Sequence, residues 1–224
     1  MVALKTFENL SPERQEEIIY VSLEEFAFNE YKSASLSNIV AKLNLGKGSF
    51  YRYFESKKSL YYFLLNYCID KRMKHDQELL QNPINHFFEL VQCHMKAKIS
   101  FDQKEPLISA FLFNILQERN SDELQDIEQY RKSSILEMTE DILKPFIANG
   151  QIRDDIEPRV LAWTIVQNQF SFQEFIEIQF KQDFQKNISN HGKLYNLSEK
   201  KLLKYGKSFI KILKGGLEKR IQHD

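Results

Sequence analysis

Residues 35–60 read SLSNIVAKLNLGKGSFYRYFESKKSL, and this stretch decides the fold more than any other part of the 224-residue chain. It opens with apolar residues spaced by three and four positions, as on one face of a helix: Leu36, Ile39, Val40 and Leu43. Ser35 stands directly before them, where a hydroxyl oxygen can accept a hydrogen bond from an N–H of the first turn. The pattern predicts a helix from Ser35 to about Leu43.

A tight turn and a second helix follow. Residues 44–46 are the turn-forming Asn-Leu-Gly, and Gly46 can adopt a positive φ there at little cost. We predict a helix over residues 47–54, in which Phe50 and Phe54 share a face and pack inward. The polar side chains of this helix then face outward: Lys47, Ser49 and Arg52. Two helices joined in this way are typical of a helix-turn-helix.

The starts of these two helices suit a nucleic-acid backbone. Backbone N–H groups at a helix N-terminus favour anions, so we predict phosphate contacts at Ser35 and Lys47. Gly48 has no Cβ and would let the second helix approach a phosphate closely. These features predict binding to double-stranded DNA.

The charges of the chain are balanced overall but divided locally. Basic and acidic residues number 31 each. Residues 1–31 hold two basic and seven acidic side chains, whereas residues 32–58 hold six basic ones and Glu55 alone as an acid. A basic strip limited to the predicted helix-turn-helix is expected of a nucleic-acid reader. Without the helix pattern, the same asymmetry would fit an ordinary solvated surface equally well.

The order and spacing of residues here resemble the DNA-binding domain of the tetracycline-repressor (TetR-type) family. The similarity extends over about residues 12–72. It is carried by a series of positions: Ile18-Ile19, Phe26-Ala27, Tyr31, Ser35-Leu36, Ile39-Val40 and the run from Leu45 to Leu60. The resemblance implies an all-helical homodimer that binds a palindromic operator. It also implies release of the operator when a small-molecule effector enters the C-terminal domain.

The resemblance gives DNA-contacting roles to several side chains and backbone positions of this chain: Ser35, Lys47, Gly48, Ser49, Tyr51 and Lys57. Ser35 matches a phosphate-contacting cap, and Tyr51 matches an aromatic residue whose hydroxyl meets a phosphate. Lys57 matches a lysine that contacts the DNA backbone from the start of the next helix.

Three positions depart from the family pattern. Gly46 stands where Ser or Thr is common, so a capping hydroxyl is missing at the turn, and Tyr53 stands where His is common. Arg52 stands where an aromatic residue is common. Arg52 can donate a bidentate pair to guanine O6 and N7, worth roughly 1–3 kcal/mol of discrimination, or it can contact a phosphate. Both roles stay open, and the operator sequence cannot be carried over from the family.

The rest of the chain also has helical patterns and few glycines, which predicts an all-α fold. A helix starting at Ser11-Pro12 would cover the helix-turn-helix with an apolar stripe: Ile18, Ile19, Ser22, Leu23 and Phe26. Further helices are predicted at about residues 57–80, 83–101, 105–118, 121–149, 157–184 and 198–221, with a loop over residues 186–197. We assign residues 12–72 to an N-terminal three-helix, helix-turn-helix DNA-binding domain. Residues 73–224 form a larger C-terminal helical domain for ligand binding and dimerisation.

The predicted helix over residues 157–184 is apolar on nearly all sides, so it must be covered on more than one face. It is a central core helix or, as the family resemblance implies, one of two helices in a four-helix bundle between subunits. The other is residues 198–221, where Gly206 would allow close approach and an apolar stripe would meet the partner: Leu202, Leu203, Tyr205, Phe209, Ile210, Leu213 and Leu217. We predict a homodimer through these two segments.

Aromatic and amide side chains in the C-terminal part predict a pocket for a small-molecule effector: Phe111, Tyr130, Trp163, Gln167 and Phe170. An apolar wall with a few orienting polar groups is typical of such pockets, and it favours an apolar or aromatic effector. Phenylalanine-rich helices also build ordinary core, so that alternative stays open for each of these residues.

Other sites and activities find little support. His86 and Cys93 share a predicted helical face, but their spacing matches no tight zinc pattern. Cys68 and Cys93 lie in helical patterns where cysteine usually behaves as a small apolar residue. No phosphate-binding loop or nucleophile elbow occurs, so we predict no enzyme activity, no metal site and no cofactor. With no signal peptide, no apolar run of membrane-spanning length and only two cysteines, we expect a cytoplasmic protein without a membrane partner.

Two functions remain. The favoured one is a ligand-responsive transcriptional regulator that represses by binding an operator as a homodimer. The alternative is a helical interaction protein, or one that sequesters a small molecule, which keeps the DNA-binding pattern without binding a specific operator.

Overall fold

The computed structural model describes residues 5–79, 83–117 and 122–219, with side chains throughout these ranges except at 116, 117, 122, 125–132 and 191. The described helices are α1 (Lys5–Glu8), α2 (Pro12–Phe28), α3 (Leu36–Lys42), α4 (Lys47–Tyr51), α5 (Lys57–Leu79), α6 (Phe87–Lys104), α7 (Pro106–Gln117), α8 (Gln125–Ala148), α9 (Pro158–Gln179), α10 (Phe184–His191) and α11 (Glu199–Leu217), together with a short 3₁₀ helix (Asp122–Leu124). In these ranges no strand forms, and an isolated bridge joins Ile152 to Glu218. The predicted all-α fold is confirmed.

Most predicted helices are present with ends shifted by a few residues. Helix α4 ends at Tyr51 rather than Phe54, and α6 begins at Phe87 rather than at residue 83. Gln151 fixes the start of α6, because its side-chain oxygen accepts a hydrogen bond of 2.8 Å from the Phe87 N–H. This cap comes from 64 positions further along the chain, so no local pattern could reveal it.

The predicted loop over residues 186–197 is wrong in its first half. Phe184–His191 form α10, and the helix ends where Gly192 adopts a φ of 62°. At the other end, the Asp183 carboxylate caps the helix by accepting a hydrogen bond of 2.9 Å from the Lys186 N–H. Caps at both ends outweigh the Asn- and Ser-rich composition that predicted a loop.

The helices group into two compact units. The first comprises the described residues within Met1–Lys74 and Glu105–Glu128, and the second comprises those within His75–Lys104 and Gln129–Asp224. Helix α7 therefore groups with the helix-turn-helix, which the sequence did not predict.

In the first unit, α2 packs against both α3 and α7. The apolar stripe predicted on α2 is buried, as expected: Ile18, Ile19, Ser22, Leu23 and Phe26. An aromatic cluster joins α2, α5 and α7, with the Tyr61 ring centroid 5.1 Å from that of Phe26 and 5.3 Å from that of Phe111. This core supports the helix-turn-helix from behind.

In the second unit, α11 packs against α6 and α9. Gly206 lies at the α6–α11 contact, where an added Cβ would stand 2.9 Å from Cγ of Met95. Leu202 and Ile210, one turn to either side, are buried within the same chain. The expectation that Gly206 faces a second subunit is therefore wrong, since its face of α11 packs on α6 of its own chain.

Candidate nucleic-acid interface

The helix-turn-helix consists of α3, a turn over residues 43–46, and α4. Ser35 caps α3 as predicted, and its hydroxyl oxygen accepts a hydrogen bond of 3.4 Å from the Asn38 N–H. The positive φ in the turn belongs to Asn44, at 53°, whereas Gly46 has a φ of −73° and caps α4. The predicted positive φ at Gly46 is wrong, because Asn also tolerates the left-handed region at a helix end.

Helix α4 carries its polar side chains outward on a tightly packed support. Phe50 and Phe54 are buried, as predicted, and their ring centroids lie 5.6 Å apart. The other predicted DNA-contacting positions of α4 and its end are exposed, apart from the half-buried Ser49: Lys47, Gly48, Tyr51 and Arg52. The packing of Phe50 and Phe54 thus holds the exposed side of α4 in one orientation.

Helix α1 clamps the end of α4, a role that the sequence did not predict. The buried Phe7 ring lies 5.1 Å from the rings of both Phe54 and Phe63, centroid to centroid. The Thr6 hydroxyl donates a hydrogen bond to the backbone carbonyl of Arg52. Packing and hydrogen bonding therefore fix the backbone that carries the Arg52 side chain.

Arg14 of α2 fixes the turn between α3 and α4. Its Nη2 donates a hydrogen bond of 2.9 Å to the Leu43 carbonyl, and its Nη1 pairs with Glu17 on the same helix. The Leu43 carbonyl lies at the C-terminal cap of α3, where partial negative charge favours a cation. Arg14 is therefore a structural cation of the helix-turn-helix.

Glu25 of α2 fixes the opposite end of α3. Only 5% of Glu25 is exposed, and its Oε1 accepts hydrogen bonds from the Ser35 N–H at 2.8 Å and from Asn38 Nδ2 at 3.3 Å. A carboxylate is stabilised by the partial positive charge of a helix N-terminus. Because the Ser35 N–H is engaged inside the protein, the hydroxyl is the group of Ser35 that can donate to a phosphate.

Lys57, at the start of α5, lies beside the segment that joins α2 to α3. Its Nζ is 4.5 Å from the ring centroid of Tyr31 and 3.4 Å from the carbonyl of Lys32. The Tyr31 hydroxyl donates a hydrogen bond of 2.8 Å to Glu123 of the 3₁₀ helix in the same unit. These contacts hold the ammonium group near α3.

The residues predicted to bind an effector lie in both units. Phe111 is fully buried in the aromatic core of the first unit. Trp163, Gln167 and Phe170 lie on α9 in the second unit, where 51% of Trp163 is exposed and the other two are half-buried. The side chain of Tyr130 lies outside the described residues. Phe111 thus belongs to a different compact unit from the three residues on α9.

A buried polar cluster in the second unit was missed by sequence analysis. Asp102 of α6 accepts hydrogen bonds from Lys98 Nζ at 2.5 Å and from the Tyr195 hydroxyl at 3.3 Å. Lys98 Nζ also donates to Oε1 of Gln173 on α9 at 3.2 Å. The residues of this cluster come from three separate parts of the sequence, so no local motif marks them.

The cysteines and the possible metal ligands form no common site in the described part of the chain. Cys68 and Cys93 are both free thiols, and burial raises the pKa of the Cys68 thiol well above its ordinary value. Among the residues with described positions, no three metal-ligating side chains come together. No helix within the described ranges has the length and apolar character needed to cross a bilayer.

Sequence comparison matches the helix-turn-helix region. Residues 18–62 fit the family model of bacterial regulatory proteins of the tetR family. Over 59 residues the chain is 41% identical to the HTH-type transcriptional regulator YuxN of Bacillus subtilis (strain 168). This match covers 26% of the present chain and 20% of YuxN, so it spans about a fifth of that relative.

Structural comparison extends over almost the whole chain. A TetR family transcriptional regulator from Chloroflexus aurantiacus J-10-FL has a TM-score of 0.74 at 22% identity, covering 98% of this chain and all of that one. The ketosteroid transcriptional regulator KstR2 of Mycobacterium tuberculosis has a TM-score of 0.64 at 16% identity, covering 95% and 98% of the two chains. At these identities the likeness shows the fold alone. The chain is thus similar to the tetR family in sequence over residues 18–62, and its fold is similar to that of TetR family regulators over almost its whole length.

Proposed function

We propose that the chain is a ligand-responsive repressor that binds a palindromic operator as a homodimer. The observation that carries the proposal is the arrangement of α4, where Lys47, Tyr51 and Arg52 are exposed above the buried Phe50 and Phe54. A short helix held rigidly on one side and polar on the other suits insertion into the major groove.

The proposed contacts to DNA are of two kinds: contacts to phosphates that position the protein, and contacts to base edges that read the sequence. We infer that the Ser35 hydroxyl, Tyr51 and Lys57 contact phosphates, which fix the register of the protein without reading sequence. Lys47, Gly48 and Ser49 lie at the start of α4, where a recognition helix meets base edges and the flanking backbone. Arg52 follows α4 and is either a guanine reader or a further phosphate contact.

The homodimer is proposed to form through α9 and α11. Large apolar side chains are exposed on both helices: Val160, Trp163 and Ile178 on α9, and Ile212 on α11. Ile178 and Ile212 are 71% and 72% exposed, and burial of these side chains against a second copy would stabilise a dimer. Two-fold symmetry would set two copies of α4 about 34–36 Å apart, to match half-sites one helical turn apart.

Effector control is proposed to act by population shift. A small molecule that binds one conformer more tightly would favour that conformer, and a change in the spacing of the two α4 helices would release the operator. Within the second unit, we propose that Trp163, Gln167 and Phe170 on α9 contact an apolar or aromatic effector. Phe111 is fully buried in the core of the first unit.

Selection of genomic DNA fragments by the full-length protein, at several salt concentrations, tests the proposed function. A specific regulator retains a few fragments that share an inverted repeat, and its affinity falls steeply with salt. Retention of no preferred fragment at any salt would overturn the proposal and favour an interaction or sequestering protein.

A further inference from the structure

The buried polar cluster of the second unit contains an amide with unused hydrogen-bonding capacity. Only 2% of Asp102 and 3% of Gln173 are exposed, and Tyr195 is fully buried. Asp102 accepts from Lys98 and from Tyr195, and Gln173 accepts from Lys98. Among the described residues, however, Nε2 of Gln173 has no hydrogen-bond partner.

The orientation of the Gln173 amide follows from chemistry. The ammonium group of Lys98 can only donate hydrogen bonds, so the atom facing it at 3.2 Å must be the amide oxygen. The NH₂ group then points away from Lys98 with two N–H bonds to offer. Buried amide groups almost always have partners, and a donor left without an acceptor marks a place where one is expected to bind.

The charges of the cluster determine what kind of acceptor fits. Lys98 and Asp102 form an ion pair and cancel each other at 2.5 Å. The Tyr195 hydroxyl donates to Asp102 and stays neutral, since burial raises its pKa well above the ordinary value. An anionic ligand would therefore add an uncompensated charge to a buried site, whereas a neutral oxygen would not.

Both helices that build the cluster also carry buried apolar residues. Phe172 and Ile176 lie close to Gln173 in the sequence of α9, Ile99 lies between Lys98 and Asp102 of α6, and all three are fully buried. A molecule that reached the amide would therefore meet a hydrogen-bonding NH₂ group in a core that also contains apolar side chains. We propose that Gln173 recognises the carbonyl oxygen of an otherwise apolar, uncharged effector, such as a ketone, lactone or ester. This inference rests on the proposed effector control and assigns the polar anchor of that effector to a residue on α9.

Thermal unfolding of the full-length protein tests this inference without DNA. The probes are straight-chain methyl ketones and lactones of six to twelve carbon atoms, the fatty carboxylates of the same lengths, and the corresponding alkylammonium ions, which carry no acceptor. We expect at least one neutral carbonyl probe to raise the melting temperature in a concentration-dependent manner. The carboxylate and the alkylammonium ion of the same length should have smaller effects.

Variants at position 173 separate recognition from structure. Gln173→Leu removes both amide groups, and Gln173→Glu keeps an oxygen for Lys98 but removes the donor. Both should weaken the carbonyl probe about tenfold or more, while the change Gln92→Leu at an exposed position of α6 should leave its binding unchanged. A fully structural Gln173 would instead lower the melting temperature when replaced, with no effect on the probe.

The outcomes distinguish this inference from the proposed function. The inference is overturned if no neutral carbonyl probe stabilises the protein, or if the carbonyl probes bind both Gln173 variants as tightly as they bind the parent. Either result leaves operator binding untouched. If carboxylates bind more tightly than ketones through Gln173, the neutral class is wrong. If a carbonyl probe binds through Gln173 and no operator can be selected, the site stands and the regulator proposal fails.

Discussion

The carboxylate of Glu25 accepts a hydrogen bond of 2.8 Å from the backbone N–H of Ser35, which ties α2 to the first turn of α3. Asn38 donates a second hydrogen bond to the same oxygen. An acidic residue of α2 thus accepts the hydrogen bond of a backbone N–H at the start of α3, where a phosphate contact was expected. The position of α3, and with it the Ser35 hydroxyl, depends on a buried charge that does not itself face DNA.

Replacing Glu25 should therefore affect both stability and DNA binding. In Glu25→Gln the charge is lost and one acceptor remains, so the free energy of unfolding should fall by about 1–2 kcal/mol. Operator affinity should fall as well, because α3 is less firmly held. Urea denaturation and fluorescence titration with operator DNA measure the two effects.

Glu24→Gln is the matched control for Glu25. Glu24 forms an exposed ion pair of 2.8 Å with Lys42, and such pairs contribute about 0–1 kcal/mol. An equal loss of stability in the two variants would show that the buried hydrogen bonds of Glu25 contribute no more to the free energy of unfolding than the exposed ion pair of Glu24.

Truncation of Phe7 should weaken DNA binding from outside the helix-turn-helix. The Phe7 ring packs on Phe54 and Phe63, so Phe7→Ala leaves a cavity at the end of α4. The free energy of unfolding should fall by up to about 3–5 kcal/mol, as for other fully buried Phe side chains. The fall should be smaller to the extent that α1 can detach. Operator affinity should fall even at temperatures where the protein stays folded, whereas Lys5→Ala on the exposed side of α1 should bind normally. Normal operator affinity of folded Phe7→Ala would contradict the clamp.

Two glycines of α11 should respond to alanine with opposite signs. Gly206→Ala places a Cβ 2.9 Å from Cγ of the buried Met95. This overpacking should lower the free energy of unfolding by about 1–3 kcal/mol, which exceeds the stabilisation gained from the higher helix propensity of alanine. Gly215 has no such neighbour within 4 Å, so Gly215→Ala should stabilise by up to about 1 kcal/mol. Urea denaturation of both variants provides the test. Equal stabilisation by the two changes would mean that α6 and α11 do not approach closely at Gly206.

Alkaline pH should destabilise the first unit through Tyr67. Burial raises the pKa of Tyr67 to about 12 from an ordinary value of 10.0, so the folded chain holds the phenolic proton more tightly than the unfolded chain. This contribution to stability is fully present below a pH of about 10 and is lost as the pH rises through about 12. Urea denaturation across this range should show a steeper loss of stability in the parent than in Tyr67→Phe. Identical pH profiles of the two proteins would contradict the raised pKa.

The local sequence predicted the parts of the fold that depend on local physics. Ser35 and Ser11 cap their helices because the capping hydrogen bond spans only three residues. The inward faces of α2 and α4 follow from helical periodicity, which places Phe50 and Phe54 on one side. The exposed side of α4 then follows from the same period.

The parts that were missed depend on contacts between distant residues. Glu25 reads as one more acidic residue of a surface helix until Ser35 is placed beside it. The sequence predicted no helix at Phe7. Lys98 and Gln173, whose side chains form a hydrogen bond, lie 75 positions apart in the sequence. The Asn and Ser content of α10 favours a loop, whereas the caps at Asp183 and Gly192 stabilise a helix.

The salt dependence of operator binding tests the central claim, that the outer face of α4 meets the DNA. Each phosphate that a lysine neutralises adds about 0.9 to the slope of log affinity against log salt for duplex DNA. We expect Lys47→Ala to bind the selected operator more weakly with a slope reduced by about one unit, while Lys200→Ala on the exposed side of α11 keeps the parent slope. Parent affinity and parent slope in Lys47→Ala would contradict the account.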